Sequence, residues 1–276
     1  MEEYQMSNAK FYMVYGVIFN LTFPIVIYSI LGLCYYVESP FLERYKCLEE
    51  AWPWKDDPEA WSKLRFRTLC LASFNMFVLS PAAYSPFHFF DLPLDLDFSS
   101  TGIPDATKMC LQVLFCMVME DMTFHCSHRF LHLRWIYPYV HKIHHEHKVT
   151  IGMASHYAHP LEYVFGNLLP CAVGPLILGP KLHITTALTW YVLRNLESIE
   201  GHCGYEFSWS PFRVLPFGSD FAYHAYHHSH NIGNYSSFFT YWDTVFGSNK
   251  VYYQYLNERR QEEQEQKKTS TKVKNA

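Results

Sequence analysis

Two stretches far apart in the chain, HKIHHEH at 141–147 and HAYHHSH at 224–230, place histidine at their first, fourth, fifth and seventh positions. A third, HRFLH at 128–132, carries two more histidines four residues apart. On a helix, residues three and four apart share a face. His128 and His132 then form one pair, and His141, His144 and His145 one cluster. His224, His227 and His228 repeat that cluster. Neutral imidazole is a ligand suited to iron, zinc and copper. These eight side chains exceed what one zinc uses, three or four, and suffice for two metals that keep open positions. The pattern therefore points to a dinuclear redox centre rather than a structural site. His202, in EGHCGYEF, is expected as a ninth ligand.

The other histidines read differently. His147 and His230 complete the two heptads but fall off the shared face. His125, one turn before His128, and His159 suit supporting roles, and His88 and His183 structural ones. A metal-bound imidazole usually donates its second N–H to a carboxylate or carbonyl. Glu120, Asp121, Glu146, Glu162, Glu197, Glu200 and Asp243 are the nearby carboxylates that could accept it. No separate acid–base pair, nucleophile elbow or phosphate loop appears, so no catalytic residue is expected beyond the ligands.

Apolar elements must position these boxes. Of the 276 residues, 49% are hydrophobic and 18% aromatic. Residues 11–37 hold no charge over a length that exceeds the roughly 20 residues a membrane span needs. Residues 68–90, 109–119, 163–180 and 182–193 are further apolar candidates, the last two reading as a hairpin that turns at GPK. The expected fold is all-α: an integral membrane bundle of four to five segments with a cytosolic helical cap holding the di-metal site. Three regions follow: membrane segments and loops over 1–107, a catalytic domain over 108–256, and a polar cytosolic tail over 257–276. The net charge of −4 argues against a nucleic-acid binder. Eight scattered cysteines without a CxxC pair argue against a disulfide framework or zinc ribbon.

Loop charge predicts the orientation. Arg44, Lys46, Lys55, Lys63, Arg65 and Arg67 place the 38–67 loop in the cytosol, and the acidic 91–107 loop on the far side. Both histidine heptads then face the cytosol, and the N-terminus the far side. Lys272 and Lys274, fifth and third from the end, resemble a dilysine retrieval signal and predict the endoplasmic reticulum membrane.

The order HRFLH, HKIHH, HAYHH resembles the membrane-bound fatty acid hydroxylase/sterol desaturase superfamily. HKIHHEH, YAHPLE, GHCGYEF and HNIGNYSSFFTYWDTVFGS resemble, more narrowly, the C4-methylsterol monooxygenases. The resemblance covers about residues 110–256. It implies a non-haem site of two iron ions with the eight box histidines as ligands. It implies molecular oxygen, and electrons from NAD(P)H delivered through cytochrome b5 and its reductase. It also implies stepwise oxidation of a sterol 4α-methyl group to the carboxylate. FSWSPFRVLPFG and HHSH are similar to the sterol 25-hydroxylases of the same superfamily, so another sterol hydroxylase, or a desaturase, stays open. A membrane zinc-binding or metal-transport protein is the alternative of a different class. It would place histidine and aspartate within its spans, whereas these boxes flank them.

Overall fold

Aspartate and proline start the helices that carry the structure. Asp57 accepts a hydrogen bond from the Ala60 amide at 3.0 Å, with Pro58 in the first turn. Asp105 accepts from the Lys108 amide at 2.9 Å and Asp220 from the Tyr223 amide at 2.8 Å. Each carboxylate satisfies an orphan N–H at the positive end of its helix. The computed structural model describes residues 40–47, 50–83, 96, 97, 99 and 102–274. Six long helices follow in order: α1 (Pro58–Ala83), α2 (Ala106–Leu131), α3 (Pro160–Lys181), α4 (Ile184–Glu200), α5 (Phe221–His230) and α6 (Lys250–Lys274). Among the described residues there is no strand, only three isolated β-bridges. The all-α expectation holds.

Three of these helices, α1, α2 and α3, are long and apolar enough to cross a bilayer, at 26, 26 and 22 residues. They turn exposed apolar side chains outward, including Leu69 and Val78, Leu111 and Val118, and Phe165 and Ile177. Such faces belong in lipid, and the chain is a membrane protein. The segment at 11–37 lies outside the described residues, as does the end of 68–90. Two boundaries differ from expectation. The second span begins at Pro58, ten residues earlier than its apolar run. The third does not stop short of Glu120 and Asp121: α2 runs straight through both, because each is answered internally. Glu120 pairs with Arg194 of α4, and Asp121 accepts the amides of Ser237 and Phe239 at 3.0 and 3.1 Å. The hairpin turn at GPK is present, as a short 3-10 turn over Gly179–Lys181.

The helices meet closely. A Cβ on Gly174 of α3 would stand 2.7 Å from the Cα of Cys116 in α2, so only glycine lets the two backbones touch. Pro175, lacking an N–H, cannot serve the Cys171 carbonyl one turn back. Trp190 of α4, wholly buried, donates its indole N–H to that carbonyl at 2.9 Å. The defect in α3 thus becomes the joint that fixes α4.

Wider π-turns interrupt α1 at Asn75–Leu79 and α3 at Tyr163–Leu168. The buried Asn75 side chain donates to the carbonyls of His156 and Ala158, at 3.1 and 2.8 Å. It pins the 3-10 turn Gly152–His156, which follows the first heptad.

Candidate metal centre

The histidine boxes gather at the C-terminal end of α2. His128 and His132 leave the last turn of that helix and its cap. His224, His227 and His228 lie on α5. His141, His144 and His145 sit on a 3-10 helix, His141–Glu146, not on the α-helix their spacing suggested. With three residues per turn, His141 and His144 nearly eclipse, their rings stacked at 5.5 Å and 27°. His202 follows the C-terminus of α4, held by a hydrogen bond from its Nδ1 to the Ser198 carbonyl at 2.7 Å.

All nine expected ligands converge, in two groups. His128, His132, His141, His145 and His227 form one; His144, His202, His224 and His228 form the other. Within each group, one nitrogen from every ring lies within 4.8 Å of all the others. In the first group, Nε2···Nε2 separations are 3.1 Å for His128–His141, His141–His145 and His132–His227. In the second they are 3.4 Å for His144–His202 and 3.1 Å for His202–His224 and His224–His228.

The opposite edges of the rings explain why those nitrogens face one another. Nδ1–H donates from His128 to the Tyr235 carbonyl (3.0 Å), from His144 to that of Tyr157 (3.0 Å), and from His227 to that of Gly233 (2.6 Å). His228 donates to the His147 carbonyl at 3.2 Å, and His141 to the Glu162 carboxylate at 2.8 Å. A neutral imidazole with its proton on Nδ1 has only a lone pair on Nε2. His128 and His141 therefore aim two lone pairs at each other, as do His144 and His202. Burial, with neighbouring imidazoles, keeps these rings neutral: it pushes His144 and His227 down to about 4 and His132 to about 2. His141, His145, His202, His224 and His228 are held well below the usual range by the same cause. Facing lone pairs without protons repel unless a cation lies between them. With metal–nitrogen bonds of about 2.0–2.1 Å, neighbouring ligand atoms stand roughly 3.0–3.4 Å apart. The donor set fits two transition-metal ions.

A loop supplies two of the orienting carbonyls. Residues 231–236 turn through Asn231, Gly233 and Asn234, all with positive φ. A Cβ on Gly233 would meet the Ser248 carbonyl oxygen at 2.1 Å, so this turn admits only glycine there. Asp243, wholly buried, clamps the loop. It accepts the amides of Tyr235 and Ser236 at 3.0 and 2.9 Å, the Tyr223 hydroxyl at 2.8 Å and the Ser248 hydroxyl at 2.5 Å. The His125 ring, with these donors, holds its carboxyl well below the ordinary carboxylate range despite burial. His125 Nε2 stands 3.3 Å away, which gives that histidine its supporting place.

The remaining candidates sort by contact. Glu162 alone among the expected carboxylates touches a ligand ring. Glu120 and Glu197 pair with Arg194, and Glu146 with Arg67 and the Tyr157 hydroxyl. His147 is buried against the Thr68 hydroxyl at 2.8 Å, His230 stacks on Tyr226 at the surface, and His159 and His183 cap helices. His88 lies outside the described residues. Sequence reasoning missed Arg194 and the backbone carbonyls of Tyr235, Gly233, Tyr157 and His147. The glycine and asparagines of HNIGN were the signal for the carbonyls of Tyr235 and Gly233.

A cavity of about 870 Å³, its mouth included, opens beside the rings. His128 and His141 of one group and His144, His202 and His224 of the other line it, with Phe124, Leu131 and Phe221 among its apolar residues and Arg194, Glu197 and Glu200 among its charged ones.

Comparison with known proteins follows the same residues. The fatty acid hydroxylase family model matches residues 113–248, which contain every histidine of both groups. The chain belongs to the fatty acid hydroxylase family. It is 34% identical over 254 residues to very-long-chain aldehyde decarbonylase GL1-8 of Oryza sativa subsp. indica, covering 91% of this chain and 87% of that protein. It is 38% identical over 227 residues to methylsterol monooxygenase 2-1 of Arabidopsis thaliana, covering 77% and 79%. Methylsterol monooxygenase 1 of Gallus gallus is 31% identical over 242 residues, covering 84% and 75%. No solved structure matches. As a member of the fatty acid hydroxylase family with monooxygenase relatives, the protein is an oxidoreductase of the membrane.

Proposed function

We propose that this chain is a di-iron oxygenase that oxidises a methyl group at C4 of a 4-methylsterol. The observation that carries the reading is the pair of adjacent imidazole groups, five and four rings, with Nε2 lone pairs facing inward beside a partly apolar cavity. The methylsterol monooxygenase relatives supply the substrate class.

His128, His132, His141, His145 and His227 would hold one iron; His144, His202, His224 and His228 would hold the other. When bound, the iron pair supplies the redox chemistry that reduces dioxygen and breaks an unactivated C–H bond. The chain's own part is to position and shield. Glu162 keeps the proton on Nδ1 of His141 and strengthens that ring as a donor. The carbonyls of Tyr235, Gly233, Tyr157, Ser198 and His147 fix the tautomers of five more rings. Phe124, Leu131 and Phe221 offer a hydrocarbon substrate a surface that excludes water and presents one carbon to the site.

Electrons come, in this reading, from NAD(P)H through cytochrome b5 and its reductase, with the site on the cytosolic face of the endoplasmic reticulum.

Sterol profiling of cells lacking the protein, with metal analysis of the purified chain, tests the proposal. Accumulated 4-methylsterols and about two irons per chain are expected. Unchanged sterols with altered long-chain aldehydes would move the substrate to that of the decarbonylase relatives. Zinc in place of iron, with full activity, would remove the redox reading.

A further inference from the structure

Residues 207–218, FSWSPFRVLPFG, belong to no membrane span, yet they pack as though they lay beside one. Phe212 and Leu215 pack against a core cluster that joins Val113, Cys116 and Met117 of α2 and Cys171 of α3 to Trp190, Phe238 and Phe239; Phe212 meets the Phe238 ring at 6.0 Å. Four members of that cluster lie inside two spans. The opposite side of the segment is open: Trp209, Val214 and Phe217 are 67%, 77% and 70% exposed. Its one charge, Arg213, is paired with Glu206.

The outward presentation is built in. Phe217 is held at φ 62°, a left-handed conformation that bulky residues seldom adopt. The Thr240 amide and hydroxyl fix its carbonyl at 2.8 and 3.2 Å, and the Ser219 amide reaches the Phe238 carbonyl at 2.8 Å. Glycine follows because a Cβ at 218 would meet the Phe212 carbonyl oxygen at 2.5 Å. A tethered turn with aromatic and branched side chains on its free side, beside membrane helices, fits hydrocarbon rather than water.

The inner side of the same segment meets the site. Phe207, Phe212 and Arg213 line the cavity that His144, His202 and His224 also line. We propose that residues 207–218 dip into the leaflet and form a lateral port through which a bilayer-dissolved lipid passes to the imidazole groups. The insertion stands apart from the proposed reaction; the identity of the lipid as a sterol rests on it.

Two measurements on the full-length protein in phosphatidylcholine vesicles test this. The first is the fluorescence difference between the wild type and Trp209→Phe, which isolates one of seven tryptophans. It is expected to be quenched by phosphatidylcholine brominated on its acyl chains and insensitive to aqueous iodide. Iodide quenching without bromine quenching overturns the insertion. The second uses wild-type protein and two photoactivatable diazirine lipids, a sterol and a fatty acid, with the adducts mapped by peptide. Sterol adducts within 207–221 support both the port and the sterol reading. Adducts there from the fatty acid alone keep the port and remove the sterol. Adducts there from neither probe overturn the port.

Discussion

The two heptads build the same arrangement from different backbones. On the 3-10 helix His141–Glu146, the first and fourth rings stack at 27° and the first and fifth stand at 79°. On the α-helix α5, the corresponding angles are 22° and 72°. Each heptad gives its first and fifth histidines to one group and its fourth to the other, and the assignment is exchanged: His141 and His145 with His227, but His224 and His228 with His144. A repeated sequence thus becomes a crossed pair. What differs is the support behind the rings. The first heptad has a carboxyl group, Glu162, behind His141; α5 has backbone carbonyls behind His227 and His228. Ring geometry is therefore set by spacing, and donor strength by what lies behind the ring.

The sharpest attempt to break this comparison removes one ring from each heptad. His144→Ala and His227→Ala should each lower turnover by more than about 100-fold, beyond the loss seen when only a ligand's hydrogen-bond partner goes. Both variants should stay in the membrane fraction. Metal analysis should show one ion lost from each, with spectra that differ because different groups are emptied. Identical spectra for the two would end the crossed assignment.

Acid is the next largest effect. Burial pushes the rings of His144 and His227 down to about 4 in the fold, against about 6.5 when unfolded. Between those values the unfolded chain binds more protons, so stability is full above about pH 6.5 and falls as pH drops toward 4. Metal-free protein should show a melting temperature that declines steadily over this window. A flat profile would mean that the rings are solvated.

Glu162→Gln isolates the one carboxyl support. It keeps an acceptor for His141 but replaces the carboxyl with an amide, and should weaken iron binding at the five-ring group by about 10- to 100-fold. The four-ring group should hold its ion unchanged, as read by chelator competition. The smallest effect concerns the seventh histidines. Thr68→Val leaves buried His147 without its hydroxyl partner and should cost about 1 kcal/mol in thermal unfolding. No matching loss is expected on the α5 side, where His230 is at the surface.

Much of this was legible because period and chemistry coincide. Spacing identified eight of the nine converging rings, the place of His202 just after the apolar hairpin added the ninth, and apolar runs located parts of all three described spans. The split into two groups was not legible. It depends on ring direction, which spacing does not give: the first and fourth rings stack alike on the 3-10 helix and on α5, yet serve different groups. The run of α2 through Glu120 and Asp121 escaped because their partners, Arg194 and the 237–239 amides, lie over seventy residues away. Backbone carbonyls as orienting groups leave no side-chain signature at all.

His144 and His145 are neighbours in the chain yet serve different groups, and so are His227 and His228. Two single peptide links therefore span the centre, each a rigid unit of about 3.8 Å between Cα atoms. Neither half can widen or contract without dragging the other. Adjacent letters in the sequence thus tie the two groups of rings together covalently, in addition to the packing of helices.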